Sequence, residues 1–398
     1  MLKKTGVVII GGGVQAIALA LRLKAYYNYR DFIIVDAQPL LGNWKRGMVT
    51  QDLSVLRTSN AANLDPFQNG ESLIRFEFDE HVRTGSLGRR TFVSDKTTEM
   101  RVSEPARVAS FNRHAKSLID KYELQAHVVS GWVTGVDYGD ATFMTKVTTC
   151  DGFMNIVSDN VVVASGLGKP WLPDGGPQSP RIVHSDAVDV RQTPRGKRIC
   201  IVGGGLTAAT LATRFAERNK VSLCTSSSVT VSQLEADPAW RPGEVLYKGF
   251  MGLSSWEERA RQLHAARVGH GITPEVWDTL SAQVNDGAVF LREGIPVDMW
   301  KITPGGNIKV MALEDKLDMV IFATGYRTSL NETPFLAGLA SGLKNTWGLP
   351  HVRESRESTE LPGLYFMGRL GELGGGPLSR NIPGAQAGAK RISASLAN

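Results

Sequence analysis

The chain opens with a short apolar run that stops at three glycines and is followed at once by a helical pattern. Residues Val7–Ile10 are apolar and mostly β-branched, which is typical of a buried strand. Apolar residues then occur at Ile17, Leu19, Ala20, Leu21 and Leu23, as expected of a helix that is buried on most of its surface. The pattern predicts a strand, a glycine turn and a helix as the first unit of the fold.

The same order of patterns occurs a second time, about 190 residues later. An apolar strand pattern over 198–202 ends at Gly203-Gly204-Gly205, and a helix is predicted from Thr207 to Arg218. The separation is far longer than the period of a solenoid repeat, so the two units indicate two modules. We therefore predict an α/β fold with two Rossmann-like dinucleotide-binding domains, parallel sheets and antiparallel β-meander insertions.

Other segments fill in this architecture. A continuous apolar run over 160–164 predicts a buried parallel strand, and 52–66 is predicted as an ordered loop, with a solvated surface loop as the alternative. The polar segment 85–101 resembles an insertion or a lid. The further predicted elements are a helix over 108–122, meander strands over 126–129, 133–138, 143–149 and 155–157, helices over 256–264 and 275–285, a strand over 318–322, and a final helix over 386–396.

A proline- and glycine-rich stretch from Pro170 to Pro180 predicts a domain boundary. We expect a discontinuous first domain of residues 1–174 and 325–398, and an inserted second domain of residues 195–324.

The first glycine run has the spacing of a dinucleotide fingerprint, Gly11-x-Gly13-x-x-Ala16. Gly11 permits a tight turn, Gly13 lets the backbone approach a pyrophosphate, and Ala16 lets helix and strand pack closely. Asp36 closes the next predicted strand, where an acidic residue usually holds a ribose hydroxyl and repels a 2′-phosphate. A single fingerprint leaves open a glycine-rich turn in another α/β fold. Two copies, each between a strand and a helix, favour two nucleotide sites.

The second copy differs at the end of its second strand. Cys224 is followed by Thr225 and by serines that include Ser226 and Ser227, with no acidic residue. Hydroxyl and backbone N–H groups can bind a phosphate, so this site favours NADPH over NADH. A plain serine-rich turn is the alternative. The arginines predicted to add positive charge are Arg241, Arg259, Arg261 and Arg267.

Composition and charge narrow the class of protein. The 398 residues are 42% hydrophobic and 21% charged, which is ordinary for a globular protein of two or three domains. The net charge of +6 comes without a long basic run, so we expect no nucleic acid partner. No apolar run reaches membrane-spanning length, and three cysteines far apart indicate neither a zinc site nor a local dithiol. We expect a cytoplasmic protein without a membrane partner or a metal.

Two further strings complete a resemblance. Ala164-Ser165-Gly166 precedes the second fingerprint, and Asp318-Met-Val-Ile-Phe-Ala-Thr-Gly-Tyr326 follows it. With the paired fingerprints, these strings resemble the two-dinucleotide flavoprotein monooxygenases, a group that includes flavin-containing monooxygenases and lysine/ornithine N-hydroxylases. The resemblance extends over nearly the whole chain and implies FAD in the first domain and NADPH in the second.

Carried over by position, the resemblance places a set of residues around each cofactor. Gly325 and Tyr326 would link the domains near the nicotinamide. The start of the last helix would face the pyrimidine end of the flavin, where a helix N-terminus stabilises negative charge. The FAD set is Gly11, Gly13, Ala16, Asp36, Gln38, Asn43, Trp44, Thr58, Ser59, Gly166, Gly368, Asn381, Ile382 and Gly384, and the NADPH set is Gly203, Gly205, Thr207, Ser226 and Ser227.

The resemblance implies a monooxygenase in which NADPH reduces FAD and a flavin hydroperoxide oxygenates a nitrogen or sulfur nucleophile of a small molecule. Asn60 or Asn63 would hydrogen-bond the peroxide, unless they only form turns. Arg57 would contact the flavin or a substrate carboxylate, or else form a loop salt bridge. Two alternatives stay open: an NAD(P)H:acceptor flavin oxidoreductase without oxygen insertion, and a non-enzymatic redox sensor. The sequence also leaves a homo-oligomer open.

Overall fold

Two main sheets form the framework of the described structure, and each contains one of the two glycine-terminated strands. They are seen in a computed structural model that describes residues 2–83, 104–166, 168–172, 180–192, 194–234, 236–266, 271–295, 300–302, 308–310 and 317–397. The predicted lid at 85–101 lies outside the described residues.

The first sheet has the strand order β5-β2-β1-β8-β7-β6, and β22 also pairs with β8. Strands β5, β2, β1, β8 and β22 are parallel to their neighbours, whereas β6, β7 and β8 form an antiparallel meander. The strands are β1 (Leu2–Ile10), β2 (Phe32–Asp36), β5 (Val128–Ser130), β6 (Trp132–Gly139), β7 (Thr142–Thr149), β8 (Gly152–Val163) and β22 (Leu364–Phe366).

The second sheet is parallel throughout and has the order β10-β18-β11-β12-β15. Both sheets contain the same doubly wound unit, β5-β2-β1-β8 in the first and β15-β12-β11-β18 in the second. If the four strands of each unit are numbered in chain order, their order across the sheet is 3-2-1-4. The strands of the second sheet are β10 (Ile182–His184), β11 (Arg198–Val202), β12 (Lys220–Cys224), β15 (Val289–Arg292) and β18 (Met319–Phe322). The predicted fold class is confirmed. The meander is found for β6, β7 and β8, but the predicted meander strand at 126–129 is wrong, because this stretch leads into β5, which pairs parallel with β2.

The helices lie against these sheets and between them. Helix α1 is buried at every residue from Val14 to Leu23, because the first sheet and α10 cover it from different sides. The α-helices are α1 (Val14–Tyr26), α2 (Gly42–Thr50), α3 (Ser72–Arg83), α4 (Val108–Lys121), α5 (Leu206–Ala216), α6 (Val245–Met251), α7 (Trp256–Ala265), α8 (Pro274–Asn285), α9 (Ala337–Ala340) and α10 (Ile382–Leu396).

Short two-stranded sheets complete the described structure. They pair β3 with β4, β9 with β19, β13 with β14, β16 with β17, and β20 with β21. The strands are β3 (Val55–Ser59), β4 (Pro105–Arg107), β9 (Lys169–Pro170), β13 (Thr230–Val231), β14 (Gly271–Ile272), β16 (Trp300–Ile302), β17 (Ile308–Val310), β19 (Tyr326–Arg327), β20 (Asn345–Thr346) and β21 (Leu349–Pro350).

The predicted loop at 52–66 is wrong in part, because it contains strand β3. Helix α2 comes before this stretch and was not predicted. It contains Gly42 and Gly47 and packs only Trp44 and Met48 against the core, so its apolar pattern is too short to indicate a helix. The predicted strands at 155–157 and 160–164 are one strand, β8, whose residues Val161–Val163 are fully buried.

Strands β9 and β19 are the two places where the described chain crosses between the sheets. We call residues 2–170 and 326–397, which build the first sheet, the first module, and residues 171–325, which build the second, the second module. The crossing is fastened by the Trp171 N–H, which donates to the Gly325 carbonyl at 2.9 Å, and by Arg327, which lies over the Trp171 ring. The domain boundaries expected from the sequence stay a prediction.

Two of the three cysteines meet in the second sheet, which the sequence did not indicate. The sulfur atoms of Cys200 and Cys224 lie 3.6 Å apart on β11 and β12, and both side chains are buried. Burial raises the pKa of the Cys200 thiol, so it stays protonated. Cys150 is exposed in the turn between β7 and β8.

No helix in the described part of the chain is long and apolar enough to cross a membrane.

His114 joins α4 to α3 and predicts an acid-sensitive stability. Its ring lies 3.1 Å from the Ser72 hydroxyl and is almost fully buried, and burial lowers its pKa from 6.5 to about 4. As the pH falls from about 6.5 to about 4, His114 is therefore protonated in the unfolded chain but stays neutral in the folded chain. His114 does not lower the free energy of unfolding above pH 6.5, and it lowers that free energy progressively as the pH falls through this window.

We expect the free energy of unfolding of the wild type to fall by about 2 kcal/mol more than that of His114→Gln between pH 7.5 and pH 5. Urea unfolding at the two pH values measures this difference. Parallel pH dependences in the two proteins would show that His114 does not cause the acid sensitivity.

Candidate functional site

The first glycine turn joins β1 to α1 and touches β8. Gly11 has φ +108°, and a Cβ there would stand 2.5 Å from the Ala164 carbonyl oxygen, so only glycine fits. At Gly13, no atom of the described chain lies within 4 Å of the place a Cβ would take. Ala16 is fully buried behind the turn. The turn is thus packed on the side of Gly11 and open to a ligand on the side of Gly13.

The second glycine turn repeats this construction between β11 and α5. Gly203 has φ +138°, and a Cβ there would stand 2.3 Å from the Ala323 carbonyl oxygen. The Gly205 position is open within the described chain. Thr207 lies in the first turn of α5 and is half-buried.

Both helices that follow these turns begin with free backbone N–H groups. Gly13 and Gly205 are the N-cap residues, and within the described structure neither helix has a side-chain cap or an acidic residue in its first turn. Such a terminus carries a partial positive charge and several N–H donors, which suits a phosphate group.

Asp36 ends β2 beside the first turn. One carboxylate oxygen accepts the Gly12 N–H at 2.5 Å, and the other accepts the Gln38 N–H at 2.7 Å. A carboxylate has further lone pairs, so both oxygens can still accept hydrogen bonds from a ribose. Gln38 and Asn43 are exposed nearby, with Asn43 in the first turn of α2.

Several buried polar atoms on the elements around this turn have no hydrogen-bond partner within the described structure. They are Gln15 Oε1, Trp44 Nε1 and Thr58 Oγ1. A buried polar atom left without a partner costs roughly 1–3 kcal/mol. These atoms fit a bound ligand that offers both donors and acceptors. Gln15, an unspecified position of the fingerprint, is a site residue that the sequence reasoning missed.

Gln15 also connects the first turn to the last helix. Its amide nitrogen donates to the Ser379 carbonyl at 3.0 Å, and its side chain lies against Gly368, which has φ +64°. The Asn381 side chain caps α10 by accepting the Gly384 N–H at 2.9 Å, and Ile382 is buried. Gly384 is so close to the Leu378 carbonyl that no side chain fits there. Asn381 and Gly384 therefore shape the start of α10, and direct contact with a cofactor stays a prediction.

The structure distinguishes the two candidate asparagines. Asn63 is a turn residue, because its side chain accepts the Asp65 N–H at 2.9 Å and donates to the Asn69 carbonyl at 3.0 Å. Asn60 follows β3 and is buried, and its N–H donates to the Glu104 carbonyl at 2.9 Å. Ser59, at the end of β3, pairs with Pro105. The catalytic role of Asn60 stays a prediction.

Arg57 makes contacts that the sequence did not predict. Its guanidinium donates to the backbone carbonyls of Ser232, Gln233 and Leu234, which belong to the second module. The structure therefore gives this side chain a bridging contact, and the contact with the flavin or a substrate carboxylate expected from the sequence stays a prediction.

The serine turn after β12 is exposed at Ser226 and Ser227. It is ordered by Thr225, whose hydroxyl donates to the Ser227 carbonyl at 2.5 Å and whose N–H donates to the Arg292 carbonyl at 2.8 Å. Arg292 ends β15 in register with Cys224, so a cation stands beside the turn. Sequence alone could not find Arg292, because its position depends on the strand order.

Two of the arginines expected at this site bind other parts of the protein. Arg259 donates to the carbonyls of Met251, Leu253 and Leu373, and Arg261 pairs with Glu258. Arg267 lies outside the described residues.

Gly166 and Gly325 hold equivalent places after β8 and β18, with φ +91° and +80°. The Gly325 carbonyl accepts a hydrogen bond from His184 Nε2 at 3.0 Å, and Tyr326 donates to Asp186 at 2.8 Å. Burial and the Asp186 carboxylate raise the pKa of Tyr326, so its hydroxyl remains a donor. The positive charge of Arg46 acts in the opposite direction.

A cleft of about 480 Å³ between Gly196 and Lys220 contains none of these residues. It lies at the opposite edge of the second sheet, where β11 and β12 begin, and is not part of the site. Within the described residues, no group of three His, Cys, Asp or Glu side chains is arranged to hold a metal ion.

Solved structures share this architecture over their full length. The Kutzneria sp. 744 ornithine N-hydroxylase, solved with reduced FAD, NADP⁺ and L-ornithine, is 18% identical with a TM-score of 0.77, covering 99% of each chain. The Erwinia amylovora cadaverine monooxygenase, bound to FAD, is 14% identical with a TM-score of 0.73, covering 99% of this chain and 94% of its own. The Bacillus cereus bacillithiol disulfide reductase is 14% identical with a TM-score of 0.64, covering 99% of each chain. At these identities the similarity shows a common fold.

No curated protein sequence matches the chain significantly. Residues 5–242, more than half of the chain, match the sequence profile described as pyridine nucleotide-disulphide oxidoreductase. This stretch contains both glycine turns and the crossing strand β9. The predicted membership of the two-dinucleotide flavoproteins is thereby confirmed at the level of family and fold. The chain belongs to the pyridine nucleotide-disulphide oxidoreductase family.

Proposed function

We propose that the chain is an FAD- and NADPH-dependent monooxygenase that oxygenates a nitrogen or sulfur nucleophile of a small molecule. The observation that carries the proposal is the repeated glycine turn. Each module offers one open glycine and one uncapped helix N-terminus at the corresponding edge of its sheet. This arrangement suits two dinucleotides bound by one chain.

The residues of the first module fit FAD. Gly13 and the N-terminus of α1 would bind the pyrophosphate, and Asp36 would accept hydrogen bonds from the adenosine ribose. The unsatisfied atoms of Gln15, Trp44 and Thr58 supply acceptors and donors for the remaining polar groups of the cofactor. The start of α10 would place a positive helix end near the flavin ring. When bound, FAD supplies the hydride acceptor and the centre that reacts with dioxygen.

The residues of the second module fit NADPH. Gly205, Thr207 and the N-terminus of α5 would bind its pyrophosphate. Ser226, Ser227 and the guanidinium of Arg292 would bind the 2′-phosphate, since no acidic residue ends β12 to repel it. Gly325 and Tyr326 lie at the crossing between the modules, where the nicotinamide would meet the flavin.

Oxygen transfer is supported by the fold shared with the ornithine N-hydroxylase and the cadaverine monooxygenase over nearly the whole chain. Those two proteins act on small amines, so a small molecule with a nucleophilic nitrogen is the substrate class that we favour. Asn60 is a buried amide close to the proposed flavin site and can orient a polar reactant by hydrogen bonding.

A second function is favoured by a different observation. The family includes disulphide oxidoreductases, and the fold is shared with a bacillithiol disulfide reductase. An NAD(P)H:acceptor oxidoreductase would use the same two cofactors without oxygen insertion. A dithiol of the chain itself is not the acceptor that we propose, because Cys200 and Cys224 are enclosed in the second sheet.

Purified protein should be yellow, and anaerobic NADPH should bleach its flavin absorbance. Under ¹⁸O₂, mass spectrometry of products from a panel of small amines and thioethers should show incorporated label. Reduction of the flavin by NADPH with a reduced acceptor and no labelled product would favour the second function. A colourless protein that does not take up FAD would contradict both.

The open glycines should separate the two cofactor sites. Gly13→Ala should lower FAD occupancy at least tenfold, because the added methyl group blocks the approach of a pyrophosphate. Gly205→Ala should keep FAD but raise the Kd for NADPH by a similar factor. Flavin absorbance per protein and NADPH titration of the flavin-loaded protein measure the two effects.

Gly11→Ala and Gly203→Ala are the matched controls. Each would force a side chain into a left-handed backbone and against a carbonyl oxygen, at a cost of about 1–3 kcal/mol or more in stability. Loss of stability in Gly13→Ala before cofactor is added would contradict our assignment of Gly13 to an open surface.

The serine turn should set the preference for NADPH. Ser226→Asp would place a carboxylate where the 2′-phosphate is proposed to bind, so KM for NADPH should rise about tenfold or more while KM for NADH changes little. Steady-state flavin reduction with both nucleotides tests this, with Ser228→Asp as a control on the same turn. Equal effects on both nucleotides would contradict the assignment.

A further inference from the structure

We propose that Arg57 and Gln233 form a clasp that holds strand β3, beside the proposed flavin site, against the second module and so sets the approach of NADPH to the flavin. The role of the clasp in hydride transfer rests on the proposed function. The geometry of the clasp does not.

The clasp consists of hydrogen bonds in both directions between β3 and the segment 232–234. Arg57 Nε donates to the Gln233 carbonyl at 2.9 Å, and Nη2 donates to the carbonyls of Ser232 at 2.9 Å and Leu234 at 3.2 Å. In return, the Gln233 side chain donates to the Arg57 carbonyl at 3.1 Å. Arg57 and Gln233 thus each form hydrogen bonds with both the side chain and the backbone. These bonds restrict movement of residues 232–234 along β3 as well as away from it.

The covalent crossing between the modules does not fix their angle by itself. It consists of β9 and β19, two strands of two residues each that lie side by side. Two adjacent strands act as one hinge line, about which the second module can turn. Contacts away from that line restrain the rotation, and Arg57 provides the one between β3 and the segment after β13.

Other contacts join the modules away from β3. Trp240, Phe250 and Leu263 of the second module share a buried apolar cluster with Leu349 and Leu373 of the first, and Arg259 donates to the Leu373 carbonyl at 3.2 Å. These contacts hold the modules together but do not act on the strand beside the proposed flavin site.

Next to β3 in the sequence, Asp52 pairs with Arg214 on α5 at 3.0 Å, but both side chains are about half exposed. An exposed ion pair contributes little in water, whereas part-buried bonds from a guanidinium to carbonyl oxygens are charge-assisted. Arg57 is therefore the stronger of these two contacts beside β3.

Arg57 stands directly before residues assigned to the flavin site. Leu56 is buried on one side, and Thr58, Ser59 and Asn60 follow on the other. The segment of chain that lines the first cofactor site is thus the same segment that holds the second module. Arginine is required because its planar fork reaches three carbonyls at once, which the single ammonium of a lysine cannot do.

The test uses FAD-loaded protein and two hydride donors in anaerobic stopped-flow measurements. NADPH must bind the second module, whereas N-benzyl-1,4-dihydronicotinamide carries no adenine nucleotide to bind there. We expect Arg57→Met and Arg57→Lys to slow flavin reduction by NADPH about ten- to a hundredfold, the loss typical of a misplaced reactant. Reduction by the small donor and FAD content should stay as in the wild type.

Gln233→Ala removes the returning bond and should slow reduction by NADPH by a smaller factor. The double variant with Arg57→Met should be no slower than Arg57→Met alone, because both changes open the same clasp. Arg75→Met is the matched control: Arg75 lies in the first module, pairs with Glu71 and is exposed, so neither donor should be affected.

Equal slowing with both donors would place Arg57 at the flavin itself and overturn the proposal, as would unchanged rates with NADPH. Hydrogen exchange of the same proteins gives an answer that is independent of turnover. Arg57→Met should speed exchange of the backbone N–H groups in residues 230–234, because it removes the bonds that hold this segment to β3, and Arg75→Met should not. Unchanged exchange in this segment would overturn the clasp. A wild type that NADPH cannot reduce would defeat the proposed function, and hydrogen exchange would then decide the clasp alone.

Discussion

The structure depends on one close approach, made twice: a glycine at the end of the first strand of each sheet meets a carbonyl oxygen at the end of a neighbouring strand. Gly11 meets Ala164, and Gly203 meets Ala323. No side chain fits at either contact, so strand end, helix start and neighbouring loop are brought together at one edge of the sheet. Two residues further on, Gly13 and Gly205 each have open space beside the Cα atom and stand at the N-terminus of an uncapped helix.

Local features of this arrangement could be predicted from the sequence. The strand, glycine and helix patterns at 7–23 and 198–218 identify both units, because each is encoded by neighbouring residues. Three of the four predicted meander strands and the helices over 108–122, 256–264 and 275–285 are also found, with shifts of a residue or more at their ends. Helix α2 was not predicted, since only Trp44 and Met48 pack against the core and two residues are too few for an apolar stripe.

What could not be predicted depends on pairing between distant segments. The carbonyl partners of Arg57 lie about 175 residues away along the chain. They are backbone atoms, which every residue has, so no residue type in the sequence indicates them. Arg292 beside the serine turn, and the contact of Cys200 with Cys224, follow from the order and register of strands. Gln15 occupies a position that the fingerprint leaves unspecified, and its importance appears only from its burial and its unsatisfied oxygen.

The long strand β8 has a consequence for the order in which the protein is made. Its first half pairs with β7, but its second half receives β22, which comes from residues 364–366. All strands of the second sheet have been synthesised once the ribosome has added Phe322, whereas the first sheet is complete only after β22 has been synthesised. During synthesis on the ribosome, the inserted module can therefore finish folding while the module that precedes it still shows an open edge. A chain that stalls before residue 364 would expose that edge to other unfinished chains.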